Sequence, residues 1–130
     1  MTLALWCLAI GCVLPYVWSM ATFPGRFQEG ALDSHHPRAQ AARLQGPYAR
    51  AVAAHENAWE ALPVFAAGVL TAHVTGADPA WSANLAIAWV VCRTLHGVVY
   101  MADIPAARSA MFLGAYACAL GQFALAAQAS

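Results

Sequence analysis

The chain has 130 residues, of which 62% are hydrophobic and only 9% are charged, and it contains no lysine. So few charged side chains cannot cover a water-facing surface as they do in soluble domains. The composition therefore predicts an integral membrane protein with lipid around it. It excludes an ordinary soluble enzyme, and the absence of a basic run argues against a nucleic-acid partner.

Four apolar stretches follow one another along the chain, each near the twenty or so residues that a membrane helix needs. The start of the first, Met1 to Leu3, has no basic residue, so this stretch is expected to be a retained span and not a signal peptide. Turn-forming residues around Pro79 and Pro105 separate the last three. The prediction is an all-α, single-domain membrane protein over 1–130, a four-helix bundle. Its predicted spans are 2–23, 50–74, 79–101 and 105–127.

The one long connection, 26–47, is rich in polar residues, proline and glycine and is predicted to be an irregular loop. Most arginines outside the spans lie in or beside it, whereas the link at Asp78 has no basic residue. The positive-inside rule then places loop 26–47 and the link 101–108 in the cytoplasm. Because the number of spans is even, both termini are expected on the opposite side.

Polar residues interrupt the second and third spans at helical spacing. Polar groups are costly at membrane depth, and side chains three or four positions apart share a helix face, so these residues predict a site facing protein or water. A purely structural alternative is an ion pair between Glu60 and Arg93 that fixes helix register. A metal site is not predicted, because Trp59 stands where a zinc-protease helix beginning His55-Glu56 needs its second histidine. The residues concerned are His55, Glu56, Asn57, Glu60, Arg93, His96 and Tyr100.

Two segments together resemble the membrane-associated proteins in eicosanoid and glutathione metabolism, the MAPEG family, with the bacterial branch most similar. The first is the second-span segment 55–65, and the second is Arg93-Thr94-Leu95-His96 with the downstream residues Tyr100, Asp103, Pro105 and Arg108. The resemblance implies a homotrimer in a bacterial inner membrane. Its active sites would lie between neighbouring subunits and bind glutathione, as a co-substrate, from the cytoplasmic side.

The resemblance also assigns roles to individual residues. Arg108 would be the catalytic residue beside the glutathione sulfur, where a fixed guanidinium favours the thiolate of a thiol whose pKa is otherwise about 8.5. Asn57 and Glu60 would hold the amide and amino groups of glutathione. The other residues expected to bind glutathione are His55, His96 and Tyr100, which would line its cleft, and Arg50 and Arg93, with Arg26 or Arg38, as cations for its carboxylates.

Two functions remain open at this stage. The first is an enzyme that conjugates glutathione to a lipophilic small molecule arriving from the bilayer, or reduces lipid hydroperoxides with it. The second is a non-catalytic trimeric scaffold or lipid-binding protein of the same fold. Ala53 favours the second, because many members carry a glutathione-binding arginine there. Arg50, one turn earlier, is a candidate substitute for that cation.

Overall fold

The computed structural model describes residues 1–129, in which every regular element is an α-helix. The all-α prediction is therefore confirmed, and residue 130 of the predicted domain lies outside the described residues. Four helices are long and two are short. They are α1 Leu3–Met20, α2 Phe23–Gln28, α3 Pro37–Arg43, α4 Gly46–Val74, α5 Pro79–Met101 and α6 Pro105–Ala129.

Three stretches of the described chain are long and apolar enough to cross a membrane. The first is Leu3–Gln28, which includes both α1 and α2. The other two are α5, Pro79–Met101, and α6, Pro105–Ala129. The second predicted span, 50–74, lies on α4, which is not among these three stretches even though it is the longest helix at 29 residues. At 1.5 Å per residue α4 is about 44 Å long, more than the roughly 30 Å hydrocarbon core needs. Its site residues His55, Glu56, Asn57 and Glu60 lie between its start and its midpoint.

The tight links lie where local sequence chemistry puts them. Asp78 caps α5 by accepting hydrogen bonds from the backbone N–H groups of Ala80 and Trp81, both at 2.9 Å. Proline opens both α5 and α6, where its missing N–H costs nothing. Gly76, after α4, has a φ of 74°, and Asp103, after α5, has a φ of 59°, so both helices end in a left-handed residue.

The segment 26–47 is more ordered than the sequence indicates. It was expected to be an irregular loop, but the end of α2 and all of α3 lie within it, and α4 begins four residues before the predicted start at Arg50. Gln40 of α3 is buried and joins the segment together, because its Nε2 donates to the carbonyl of Ala31 at 3.0 Å. Asp33 accepts from the backbone N–H of His36, which chiefly lowers the pKa of that carboxyl.

The helices α4 and α5 form the centre of the molecule, since each contacts the other three long helices. The rings of Phe65 and Trp89 stack between them, with centroids 3.8 Å apart. On α4, a Cβ at Gly68 would lie 2.9 Å from the carbonyl oxygen of Ala119, so glycine allows α6 to approach closely. This packing fixes the relative positions of α4, α5 and α6, which carry the polar residues.

Candidate functional site

Arg93 joins α5 to α4 through Asn57. Its Nη2 donates to the Asn57 side-chain oxygen Oδ1 at 2.8 Å and to the Asn57 backbone carbonyl at 3.0 Å. Arg93 is only 2% exposed. A guanidinium is a strong multiple donor, and burying it without acceptors is costly, so this double contact fixes both side chains.

Glu60 is not the direct partner of Arg93. No ion pair joins the two residues in the described part of the chain, and Glu60 is exposed. The structural ion pair considered from the sequence is therefore wrong, because Asn57, one turn earlier on α4, takes the contact. Arg93 and Glu60 instead line one cavity of about 160 Å³ between α4, α5 and α6, here called the Arg93 cavity. Its remaining walls are Ala61, Val64, Trp89, Phe112, Ala115, Tyr116 and Ala119.

Arg108, at the start of α6, lies over the ring of Tyr100, with the guanidinium carbon 4.5 Å from the ring centroid. A cation over an aromatic face is attracted by the ring quadrupole. Tyr100 in turn meets the ring of His96 edge-on, with centroids 5.6 Å apart. The three side chains thus form one layer in which aromatic packing positions the guanidinium.

These groups border a cleft of about 400 Å³ at the polar end of the molecule, here called the Arg108 cleft. It brings together four residues predicted from sequence: Asn57, His96, Tyr100 and Arg108. The sequence reasoning missed the lining residues Ser109, Phe112 and Leu113. The i, i+4 spacing of Arg108 with Phe112 on one predicted helix is the signal that would have placed Phe112 there.

His55 lies on another side of α4. Its Nδ1 is 2.8 Å from the carbonyl oxygen of Pro15 in α1. His55 and Glu56 line a separate cavity of about 390 Å³, together with Arg26 and Arg38. The expectation that His55 shares a cleft with His96 and Tyr100 is not met within one chain, because its partner is on α1.

The side chain of Arg50 contacts the C-terminal end of α5. Its Nε donates to the carbonyl of Met101 at 3.1 Å, and its Nη1 lies 3.8 Å from a carboxylate oxygen of Asp103. A cation beside free C-terminal carbonyls stabilises a helix end. Arg50 therefore ties α4 to the α5–α6 turn, and its role as a substitute for the missing cation at Ala53 stays a prediction.

Within residues 1–129, no group of three or more histidine, cysteine or carboxylate side chains is suited to hold a metal ion.

Comparison with known proteins places the whole arrangement in one family. No curated protein matches the chain. The model of the MAPEG family matches residues 3–128, which include all the site residues above. The resemblance seen in the two segments is thus confirmed at the level of the family, and the chain belongs to the MAPEG family.

Proposed function

We propose that this protein is a membrane-bound, glutathione-dependent transferase or peroxidase. The family includes glutathione transferases and peroxidases as well as non-catalytic members, and its members use glutathione. The proposed assembly is a homotrimer of four-helix bundles in a bacterial inner membrane. The Arg108 cleft would open towards the cytoplasm, with loops 26–47 and 101–108 on the same side and both termini opposite.

The position of Arg108 carries this proposal. Its guanidinium faces the Arg108 cleft and is positioned by the ring of Tyr100. Arginine keeps its charge when partly buried, so it can stabilise an anionic sulfur at neutral pH. A glutathione thiol that loses its proton to water there becomes the nucleophile. Its sulfur forms a bond with an electrophilic carbon as the bond from that carbon to a leaving group such as a halide breaks.

The apolar Arg93 cavity adjoins the Arg108 cleft, since Phe112 lines both. Its walls are mostly hydrocarbon and aromatic, which suits a lipophilic small molecule from the bilayer. The contact between the two cavities supports a reaction in which a water-soluble thiol enters the Arg108 cleft and a lipophilic substrate enters the Arg93 cavity.

A non-catalytic scaffold or lipid-binding protein is the second candidate. It is favoured by Ala53, which leaves the site without one expected cation, and by the engagement of Arg50 with Met101 and Asp103. If position 53 has no arginine and Arg50 does not substitute for it, no cation on this part of α4 binds a carboxylate of glutathione. The cost of one lost charge-assisted hydrogen bond is on the order of 1.5–3 kcal/mol, which weakens binding without abolishing it.

A glutathione titration of the detergent-purified protein separates the two candidates. We expect thiolate absorbance to rise as glutathione binds, together with conjugation of an aryl halide. Arg108→Ala should abolish the thiolate signal while weak glutathione binding remains, because the guanidinium stabilises charge more than it anchors the peptide. Arg43→Ala, an exposed arginine paired with Glu29, is the matched control. Normal turnover in Arg108→Ala would refute the catalytic assignment, and silence in the wild-type protein would favour the scaffold.

A further inference from the structure

The orientation of the Asn57 amide can be read from its contact with Arg93. Arginine has only N–H donors, so the Asn57 atom that lies 2.8 Å from Nη2 must be the amide oxygen. The amide nitrogen is then the other end of the group. Within residues 1–129 that nitrogen has no hydrogen-bond acceptor, and Asn57 lines the Arg108 cleft.

In the described chain, Arg93 donates side-chain hydrogen bonds to Asn57 alone. Its Nε and Nη1 are buried and have no hydrogen-bond partner in the described chain, so both of its hydrogen bonds go to Asn57. A buried guanidinium with two unpaired nitrogens contributes little net stability to the fold. The contact instead immobilises Asn57, which would otherwise rotate its amide freely by 180° about χ2.

We infer that Arg93 is a positioning residue that makes Asn57 a hydrogen-bond donor to the ligand. This inference rests on the proposed function and reassigns Arg93, which the sequence predicted to bind a glutathione carboxylate. The amide nitrogen of Asn57 has no acceptor in the described chain, so it would donate to an acceptor oxygen of a ligand in the Arg108 cleft, and glutathione offers peptide carbonyl and carboxylate oxygens. The same geometry disfavours contact between Asn57 and a ligand N–H.

The variant Asn57→Asp tests the donor role with almost no change in shape. It keeps an oxygen for Arg93 and replaces the amide NH2 by a second acceptor. We expect the KM for glutathione to rise by about tenfold or more, and kcat at saturating glutathione to stay within about threefold, because Arg108 is untouched. Glu29→Gln, at the exposed ion pair with Arg43 and away from the candidate site, is the control and should leave both constants unchanged.

Arg93→Met and Arg93→Lys test the positioning role. Methionine cannot donate and should raise the KM for glutathione as Asn57→Asp does, whereas lysine keeps a donor and should restore part of the affinity. A normal KM in Asn57→Asp, or equal KM values in Arg93→Met and wild type, would overturn the inference.

A readout without ligand keeps the inference separate from the proposed function. In protein labelled with 15N, the side-chain amide resonances of Asn57 should shift in Arg93→Met and return towards their wild-type positions in Arg93→Lys. Unchanged Asn57 resonances in a folded Arg93→Met variant would refute the positioning role even if glutathione never binds. Absence of glutathione binding by the wild-type protein, with the expected resonance shifts, would reject only the proposed function.

Discussion

At the scale of single residues, Tyr100 supplies a ring and a hydroxyl, and the structure separates their roles. The ring centroid lies 4.5 Å from the Arg108 guanidinium carbon, and the described chain shows no hydrogen bond from the hydroxyl. Tyr100→Phe should therefore keep Arg108 in place, while Tyr100→Leu should release it. Arg108 is partly exposed, and a cation–π contact between the exposed and the desolvated limit is worth about 1–2 kcal/mol, so turnover in Tyr100→Leu should fall by about tenfold.

Aryl halide conjugation at saturating glutathione measures this difference between the two Tyr100 variants. Their thermal unfolding in detergent provides the control for folding. If Tyr100→Phe loses as much turnover as Tyr100→Leu, the hydroxyl contributes to the chemistry and the positioning argument fails.

At the scale of helices, Arg50 connects the second turn of the long helix α4 to the end of α5. The α5–α6 turn already has Asp103 in a left-handed conformation, and Arg50 contacts both that residue and the carbonyl of Met101. Arg50→Gln should reduce stability by about 1 kcal/mol, because it removes a cation from a helix C-terminus and one charge-assisted hydrogen bond.

The melting temperature in detergent tests the role of Arg50, with Arg43→Gln as the matched control. Arg43 forms an exposed ion pair with Glu29, which should contribute little. The same variants also decide the remaining sequence prediction for this residue. A raised KM for glutathione in Arg50→Gln at unchanged stability would assign Arg50 to glutathione binding instead.

The helix scale also shows which features the sequence could predict. Asp78, Pro79 and Pro105 act through their own backbone, so the limits of α5 and α6 were predictable from local chemistry. The helix α3 was not, because its seven residues depend on the buried Gln40, whose partners lie seven to fourteen residues earlier in the chain.

The candidate site was predictable to a similar extent. Helical spacing correctly put His96 and Tyr100 on one face of α5, since both line the Arg108 cleft. Spacing could not show that His55 turns to the carbonyl of Pro15, or that Arg93 selects Asn57 over Glu60, because these choices depend on how neighbouring helices pack. Periodicity defines faces, whereas partners between helices come from tertiary structure.

At the scale of the whole molecule, the exposed charge of Glu60 requires an explanation. The residue lies about 21 Å along α4 from Gly46, beside the apolar walls of the Arg93 cavity. An exposed carboxylate is costly at membrane depth unless it meets water, a cation or another protein. MAPEG proteins are typically oligomeric, so a second subunit against this face would satisfy the carboxylate.

Glu60→Ala should therefore weaken the proposed homotrimer. The loss would come from the contact between subunits and not from the helix core, because Arg93 in the same chain is held by Asn57. Chemical cross-linking and light scattering in detergent would measure the share of three-subunit species, with Glu56→Ala, one turn earlier and in a different cavity, as the control. A trimer equally stable in both variants would show that Glu60 faces water, where it remains free to bind the amino group of glutathione.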